Sequence, residues 1–411
     1  MTILQLDTLA FGGEAVGRLD GKAVFVAGGI PGERVRVELV HDAGRYARAR
    51  LIEVLDPSPD RVAAPCPYYD DCGGCHLQHI RYQRQLELKR DIVHQQLVRL
   101  GGIAAPKVLP ALGVPTPWGY RNHVQLHAHQ GRVGYQRPQS HAVVPVSHCA
   151  IAHPLLDAIW PSTVPATVTR LALRAGVATG ERLALVEATA ALAPAELALP
   201  VDVAIVQSLG ARVRALRHSP WLHERLLGLD LRVSARSFFQ NNTPQAEALV
   251  SLAGEWLALQ ADERLLDAYC GVGAFLLTLT PPDGQGLGIE SSPEAVADAR
   301  VNARWAGAEG RARFVVGDVA RVLGRRRLAC DAVVLDPPRA GCSAEALALI
   351  AATGASRILY VSCDPATLAR DIKRLTAEGY RLVRAQPVDM FPQTYHVETI
   401  ALLARVDGGP P

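Results

Sequence analysis

The chain has 411 residues, of which 49% are hydrophobic and 20% charged, so it is long enough for two to four domains with ordinary cores. A net charge of +3 is too small to identify a nucleic-acid-binding protein, so such binding must be argued from local clusters. No apolar run is long enough to span a bilayer and Met1 to Ala10 lacks a signal pattern, which predicts a cytoplasmic protein that does not bind membranes. Eight cysteines in such a protein favour metal binding or catalysis over disulfides.

Short strands separated by glycine turns are predicted for residues 1–58. This pattern is typical of a small closed barrel of the oligonucleotide-binding kind. Arg45, Arg48 and Arg50 lie close together, and both a phosphate contact and a solvated strand face fit them. Asp56-Pro57-Ser58-Pro59 ends the unit as a stiff linker. The predicted strands are Thr2–Leu6, Lys22–Val26, Glu33–Leu39 and Tyr46–Leu55.

Three cysteines, Cys66, Cys72 and Cys75, follow within ten residues, with two glycines between the last two. This spacing lets the backbone fold around one ion or cluster. It therefore favours a metal or cluster site over a chance group of structural cysteines. Four thiolates would suit a four-iron cluster, whereas a histidine as fourth ligand would favour zinc. The candidates for the fourth ligand are His76, His79 and the distant Cys149.

A helix is predicted from Ile80 to Leu100, and it carries the clearest basic face in the chain. A solvated helix surface is the more common explanation of such a run. After it, strand-like segments broken by prolines suggest an α+β insert that carries Cys149, so residues 59–240 form a central α+β domain in this prediction. The basic residues of the helix are Arg81, Arg84, Lys89, Arg90 and Arg99.

Regular alternation of helices and strands begins after residue 241 and predicts an α/β domain with a parallel, doubly wound sheet over residues 241–411. Its first helix spans roughly Pro244 to Leu257. The predicted strands are Arg264–Asp267, Gly286–Glu290, Ala312–Gly317, Ala332–Asp336, Arg357–Val361, Arg381–Val388 and Val397–Leu403.

The first of these strands leads into a glycine turn with Gly271 and Gly273, whose backbone can approach a ligand closely. Glu290 lies 19 residues beyond Gly271 at the end of the next strand, where a carboxylate can bind both hydroxyls of a ribose. The third glycine of a dinucleotide fingerprint is missing, so an adenosyl ligand without a pyrophosphate is favoured over NAD. A glycine turn without any ligand is the alternative.

Two further strand ends carry candidate chemistry. Asp336-Pro337-Pro338-Arg339 forms a rigid turn at the same sheet edge, which is suited to a planar base or is simply a stiff loop. Cys363 follows a buried strand and precedes a helix that begins at Asp364-Pro365. A helix N-terminus is expected to lower the pKa of such a thiol, which favours a reactive cysteine over a small buried hydrophobe.

Together these features resemble the RNA 5-methyluridine (uracil-5) methyltransferases, in the branch with an N-terminal RNA-binding TRAM barrel and a [4Fe-4S] cluster. No single motif is decisive, but six in the same order are. The motifs are Cys66-x5-Cys72-Gly-Gly-Cys75 with Cys149, Phe238-Phe239-Gln240, the Asp267–Phe275 turn, Leu335-Asp336-Pro337-Pro338-Arg339, Ser362-Cys363-Asp364-Pro365 and His396-Val397-Glu398-Thr399.

The resemblance implies that Cys363 is the nucleophile and Glu398 the base in the C-terminal, Rossmann-like S-adenosylmethionine domain. It also implies that Cys66, Cys72, Cys75 and Cys149 hold a structural cluster. Ala274 departs from the family pattern, which often has asparagine there, and this puts one cofactor contact in doubt. The expected cofactor-binding residues are Gln240, Tyr269, Gly271, Gly273, Glu290, Asp318 and Asp336.

The branch is mostly associated with 23S ribosomal RNA, and some relatives with a similar layout act on transfer RNA. Two other classes remain open: an RNA methyltransferase acting on amino groups, for which acid-Pro-Pro turns are also typical, and a non-catalytic iron–sulfur RNA-binding protein. A monomer is expected.

Overall fold

The computed structural model describes residues 1–210, 212–325 and 328–406. Within these ranges the strands form a closed barrel, two seven-stranded sheets and a two-stranded hairpin. Among the helices of the described residues, none combines the length and the apolar content needed to cross a membrane.

The N-terminal barrel closes in the strand order β1-β2-β3-β5-β4, as its alternating sequence predicted. Alternate residues such as Leu4, Val24 and Val37 fill its interior. The sequence missed β2 because Gly17 interrupts its apolar pattern; a Cβ there would lie 2.4 Å from the carbonyl oxygen of Gln5 on the neighbouring strand. The strands are β1 (Thr2–Leu9), β2 (Ala15–Leu19), β3 (Lys22–Val26), β4 (Arg34–Asp42) and β5 (Tyr46–Asp56).

The arginines of the barrel's outer face are paired with acids. Arg48 Nη1 lies 3.1 Å from Glu14 Oε1, and Arg50 donates to Glu38. These pairs favour the solvated strand face over dedicated phosphate contacts.

A long helix, α1 (Tyr82–Arg99), follows the cysteine loop and packs against the last helix and a strand of the C-terminal sheet. The prediction of a continuous basic face was wrong at Lys89, which is fully buried and bonded to Asp389. Helical spacing puts Lys89 on the same side as Leu86 and Val93, which face the core.

The central sheet has the strand order β12-β11-β10-β9-β6-β7-β8, and only the β10–β11 pair is parallel. One short helix, α2 (Pro154–Asp157), and a 3₁₀ turn at Pro194–Leu197 contribute to its core. The strands are β6 (His123–His129), β7 (Arg132–Gln136), β8 (Val143–Pro145), β9 (Val168–Ala175), β10 (Arg182–Ala188), β11 (Ala204–Leu209) and β12 (Arg212–Arg217).

A hairpin of β13 (Trp221–Leu226) and β14 (Leu229–Ser234) joins the central sheet to the C-terminal sheet. Its buried residues Leu222 and Val233 belong to one hydrophobic cluster with Val206 of β11 and Leu249 of the next helix. The central and C-terminal parts therefore share a continuous core.

The C-terminal sheet has the strand order β17-β16-β15-β18-β19-β21-β20, with five parallel strands followed by antiparallel β21 and β20. Helices cover both faces, so the predicted doubly wound α/β fold is observed. Its elements are α3 (Thr243–Leu257), β15 (Arg264–Ala268), α4 (Ala274–Leu279), β16 (Gln285–Glu290), α5 (Pro293–Trp305), β17 (Ala312–Val316), α6 (Val319–Gly324), β18 (Ala332–Leu335), α7 (Ala344–Ala351), β19 (Arg357–Ser362), α8 (Pro365–Ala377), β20 (Tyr380–Val388) and β21 (Glu398–Arg405).

Candidate active site

A cavity of about 960 Å³ lies at the carboxyl ends of the parallel strands. The sheet brings together residues from Tyr269 to Glu398, which are 129 positions apart in the chain, as open α/β sheets do at this edge. Gly273, the N-cap residue of α4, lies outside the lining. A Cβ at this position would lie 3.0 Å from the Phe314 ring. All the remaining predicted residues line the cavity. They are the nucleophile Cys363, the base Glu398 and the cofactor residues Gln240, Tyr269, Gly271, Glu290, Asp318 and Asp336.

The turn after β15 and the end of β16 form one hydrogen-bonded unit. Glu290 Oε2 accepts from the backbone N–H of Gly271 at 3.2 Å, and its Oε1 accepts from the N–H of Ser292 at 2.7 Å. The two glycines of the turn and Tyr269 all have positive φ, which for Tyr269 is an uncommon conformation of +71°. The Glu290 carboxylate is thus held in place before any ligand binds.

Two buried carboxyl groups lie at this edge of the sheet: Asp336 lines the cavity, and Asp267 of β15 is buried near it outside the lining. Burial, reinforced by the neighbouring Asp336, raises the pKa of Asp267 to about 8, and its Oδ2 accepts from the Leu276 N–H. Burial likewise raises the pKa of Asp336 to about 7. Because burial favours the neutral acid, these groups are poised to ionise when a positive charge arrives.

Cys363 follows β19 directly, and Asp364 caps α8 by accepting from the Thr367 N–H at 2.9 Å. The expected lowering of the thiol pKa is wrong: burial and the nearby Glu398 raise the pKa of Cys363 to about 11. The Arg339 guanidinium acts in the opposite direction. Desolvation outweighs the helix terminus here, so the resting group is a thiol.

Glu398 is the first residue of β21 and is 4% exposed. Burial and the neighbouring Asp336 raise its pKa well above the usual range. Its Oε1 has no hydrogen-bond partner among the described residues. A buried carboxyl oxygen without a partner faces the cavity that Cys363 lines, which suits a group that accepts a proton from a bound substrate.

The loop that carries Asp336 and Arg339 is anchored on α8. Thr367 Oγ1 donates to the Arg339 carbonyl at 3.1 Å, and Arg370 donates to the Ala340 carbonyl at 2.8 Å. Asp371 Oδ2 accepts from the N–H of Cys342 at 2.9 Å. No sequence pattern indicates these three anchors, because helical spacing does not reveal which loop a helix supports.

His76, Phe391 and His396 also line the cavity, and the sequence analysis did not assign them to it. Arg339 Nη2 lies 3.2 Å from His396 Nδ1, and burial lowers the pKa of His396 to about 3. His76 packs against Tyr395 with ring centroids 4.6 Å apart, so it does not turn toward the cysteines.

The four predicted ligand cysteines, Cys66, Cys72, Cys75 and Cys149, line a second, smaller cavity. Tyr135 OH lies 3.7 Å from Cys149 Sγ in the same cavity. The other candidate, His79, bonds Tyr69 OH through Nδ1 at 2.7 Å. Within the described residues, no three His, Cys, Asp or Glu side chains are arranged around one metal ion.

The doubly wound sheet, the glycine turn and the carboxylate at the end of β16 define a methyltransferase fold that uses S-adenosylmethionine. Two family models match the chain: the TRAM domain over residues 2–52 and tRNA (Uracil-5-)-methyltransferase over residues 320–406.

Whole-chain relatives agree with these matches. An uncharacterized RNA methyltransferase of Thermosynechococcus vestitus is 38% identical, over 97% of this chain and 97% of its own length. One from Gloeobacter violaceus is 37% identical, over 98% of this chain and 96% of its own length. The chain therefore belongs to the family of RNA uracil-5 methyltransferases with an N-terminal TRAM domain.

The fold is also similar to a solved structure, the Pyrococcus abyssi tRNA (uracil-54, C5)-methyltransferase in complex with S-adenosyl-L-homocysteine. The TM-score is 0.77 at 26% identity, and the match covers 98% of this chain and 100% of that chain.

Proposed function

We propose that this protein transfers a methyl group from S-adenosylmethionine to carbon 5 of a uridine in RNA, through a covalent adduct with Cys363. The observation that carries this proposal is that Cys363 and Glu398 line the same cavity as the cofactor edge of the sheet. The target we propose is 23S ribosomal RNA.

For cofactor binding, we assign Glu290 to the ribose hydroxyls and Asp318 to the adenine, with Gln240, Tyr269 and Asp336 as further contacts. The cofactor supplies an electrophilic methyl group on a positively charged sulfonium. The buried carboxyl of Asp336, which lines the cavity, is complementary to that charge when it is ionised. Gly271 has no heavy atom within 4 Å of its Cβ position, which leaves room for a close ligand.

Carbon 5 of uracil is too weak a nucleophile to accept the methyl group unaided. In this mechanism the Cys363 thiol first gives its proton to solvent water, helped by the positive charge of Arg339, and its sulfur then bonds to carbon 6 as the carbon 5–carbon 6 double bond opens. The electron pair moves to carbon 5, which takes the methyl group from the sulfonium; the sulfur–methyl bond breaks and S-adenosylhomocysteine leaves. Glu398, as carboxylate, then removes the carbon 5 proton; the double bond re-forms and the carbon 6–sulfur bond breaks to release Cys363.

We further propose that Cys66, Cys72, Cys75 and Cys149 hold a [4Fe-4S] cluster. Their four thiols line one cavity, whereas His76 and His79 are directed elsewhere. A four-iron cluster takes four thiolates, which is the number of cysteines in this cavity, and a zinc ion is the alternative occupant. Such a centre would link the cysteine loop to the central sheet and would not take part in the methylation.

In this proposal the TRAM barrel (1–58) binds RNA, the central domain (59–240) carries the cluster, and residues 241–411 catalyse methylation. Support for a ribosomal target comes from the combination of barrel and four-thiol centre. The similarity to a transfer RNA enzyme favours the same chemistry on a transfer RNA uridine as second candidate. The protein would act as a monomer in the cytoplasm.

The test is methyl transfer from labelled S-adenosylmethionine to unmodified 23S and transfer RNA transcripts, with the labelled base mapped. We expect label on carbon 5 of a uridine in 23S RNA, and none with Cys363→Ala. Label only in transfer RNA would change the substrate and keep the mechanism. Label on an amino group, retained by Cys363→Ala, would contradict the adduct mechanism.

A further inference from the structure

The five residues Asp389–Gln393, here called the strap, connect the end of β20 to the segment that leads into β21. Each strap carbonyl accepts a hydrogen bond from outside the strap. The donors, from Asp389 to Gln393, are Gln245 Nε2 (3.4 Å), Asn242 Nδ2 (3.4 Å), Lys89 Nζ (3.1 Å), Tyr120 OH (2.9 Å) and the N–H groups of His76 and Leu77 (2.9 and 3.0 Å).

A segment without regular structure rarely has every carbonyl hydrogen-bonded to a donor outside the segment, because buried carbonyls are normally satisfied within helices or sheets. The strap also contains a conformation that needs support: Gln393 has φ of +68°. A non-glycine residue in this region is strained and persists only where its surroundings fix it.

Two side chains of α1 supply most of the side-chain support. Lys89 Nζ lies 2.5 Å from Asp389 Oδ1, and both side chains are fully buried. Gln85 forms a reciprocal pair with Gln393: its Nε2 donates to the Gln393 Oε1 at 3.0 Å, and its Oε1 accepts from the Gln393 N–H at 3.2 Å. A buried ion pair of this kind adds little stability over apolar residues but fixes a single arrangement.

The strap leads directly to groups that line the active-site cavity. Phe391 belongs to the strap, and His396 and Glu398 follow it within eight residues of the chain. Glu398 Oε1 has no partner among the described residues, so the backbone that carries Glu398 has to set its position. That backbone pairs with Val388 of β20, and the strap is the buried, cross-linked segment between Val388 and the residues that lead into β21.

We propose that Gln85 and Lys89 are positioning residues that fix the strap and, through it, the carboxylate of Glu398. This inference rests on the proposed function. Helix α1 does not line the cavity, yet in this proposal it controls the step in which the carbon 5 proton is removed and the methylated RNA is released. Formation of the bond from Cys363, which α8 and β19 position, depends on it much less.

The experiment is a single-turnover reaction of the cluster-loaded full-length protein with labelled S-adenosylmethionine and its RNA. Methyl transfer is followed as S-adenosylhomocysteine, and release as loss of the protein–RNA adduct on a denaturing gel. We expect Gln85→Leu to slow release by roughly tenfold or more while methyl transfer changes by less than about threefold, since small misplacements of a catalytic group are costly. Glu398→Gln serves as the reference for a blocked release.

The matched control is Gln207→Leu. Gln207 is also a buried glutamine bonded to main chain: its Nε2 donates to the Ala190 carbonyl at 2.6 Å in the central sheet, away from the strap. Its loss should lower the melting temperature as Gln85→Leu does, with no accumulation of adduct. If both variants accumulate adduct equally, or Gln85→Leu releases RNA at the wild-type rate, the proposal is wrong.

A second variant tests the proposal if Gln85→Leu does not fold. Lys89→Met alone leaves Asp389 charged and buried, so Lys89→Met is combined with Asp389→Leu, which replaces the pair by apolar side chains. We expect a folded protein with slowed release, because the Phe391 carbonyl keeps its local bonds from Thr394 but loses the donor that connects it to α1. A folded double variant with wild-type release would also overturn the proposal. Failure of the wild-type protein to methylate any uridine would instead contradict the proposed function itself.

Discussion

At the scale of single residues, burial favours the protonated forms of the carboxyl groups and of the thiol at this edge of the sheet. Burial raises the pKa values of Asp267, Asp336 and Cys363, to about 8, 7 and 11. Protons must therefore leave when the positively charged cofactor and the RNA bind, and two measurements can follow them.

The first prediction concerns the Cys363 thiol. Because its pKa is about 11, the thiolate fraction of the free protein should rise about tenfold per pH unit between pH 7 and 10. Alkylation by iodoacetamide, followed by mass spectrometry of the peptide that contains Cys363, should rise in parallel. Arg339→Met should slow alkylation at each pH, because the guanidinium lowers the thiol's pKa. A rate that levels off by pH 8 would show a resting thiolate and contradict the prediction.

The second prediction concerns cofactor affinity. The carboxylate form of Asp336 attracts a sulfonium, so the affinity for S-adenosylmethionine should increase as the pH rises through about 7. S-adenosylhomocysteine lacks that charge, and its affinity should change much less. Equilibrium binding of both ligands at pH 6 and 8 checks this, and Asp336→Asn should reduce the difference. Equal pH dependence for the two ligands would contradict it.

At the scale of elements, the sequence predicted the C-terminal strands well because β18 and β19 are continuous apolar runs that only a buried parallel sheet explains. Eight of the nine predicted catalytic and cofactor residues line the cavity, since most of them follow strand ends. The sequence could not predict the orientation of Lys89, because a charged residue at helical spacing is buried only where a distant acid meets it. Asp389 lies 300 residues away, and no local sequence pattern indicates that contact.

The third prediction tests how α8 supports the loop of Asp336 and Arg339. Gly341 has φ of +73°, and a Cβ there would lie 2.2 Å from Thr367 Cγ2. Gly341→Ala should therefore displace the loop, destabilise the protein by about 1–3 kcal/mol and lower kcat for methyl transfer. Thermal unfolding and steady-state rates measure both effects.

Gly307→Ala is the matched control, because Gly307 has φ of +60° with no heavy atom within 4 Å of its Cβ position. It should cost stability through backbone strain alone and leave kcat unchanged. Equal kcat values for the two variants would contradict the role given to the loop anchors.

At the scale of the whole molecule, three distant segments meet beside the active site. Phe11, in the turn after β1, packs edge-on against Tyr395 with ring centroids 5.5 Å apart. His76 of the cysteine loop contacts the same ring, and Tyr395 stacks near His396, which lines the cavity. The barrel and the cysteine loop are thus in direct contact with Tyr395, in the segment that leads to Glu398.

The fourth prediction tests this junction. Phe11→Ala removes the aromatic pair and should destabilise the protein by about 1–3 kcal/mol. It should also lower kcat at saturating RNA, because Tyr395 and His396 lose part of their support. Denaturant unfolding and rates at several RNA concentrations separate the two effects. A variant that changes only the KM for RNA would show that the barrel contributes binding alone.

The buried pair of Lys89 and Asp389 has a consequence for biosynthesis. At about 5–20 residues per second, roughly 15–60 s separate the emergence of α1 from that of its partner. During that interval the Lys89 ammonium stays hydrated, since burying it without the carboxylate would be costly. In this proposal the release of methylated RNA therefore becomes possible only after residues near 389–398 have been translated, which is later than the synthesis of Cys363.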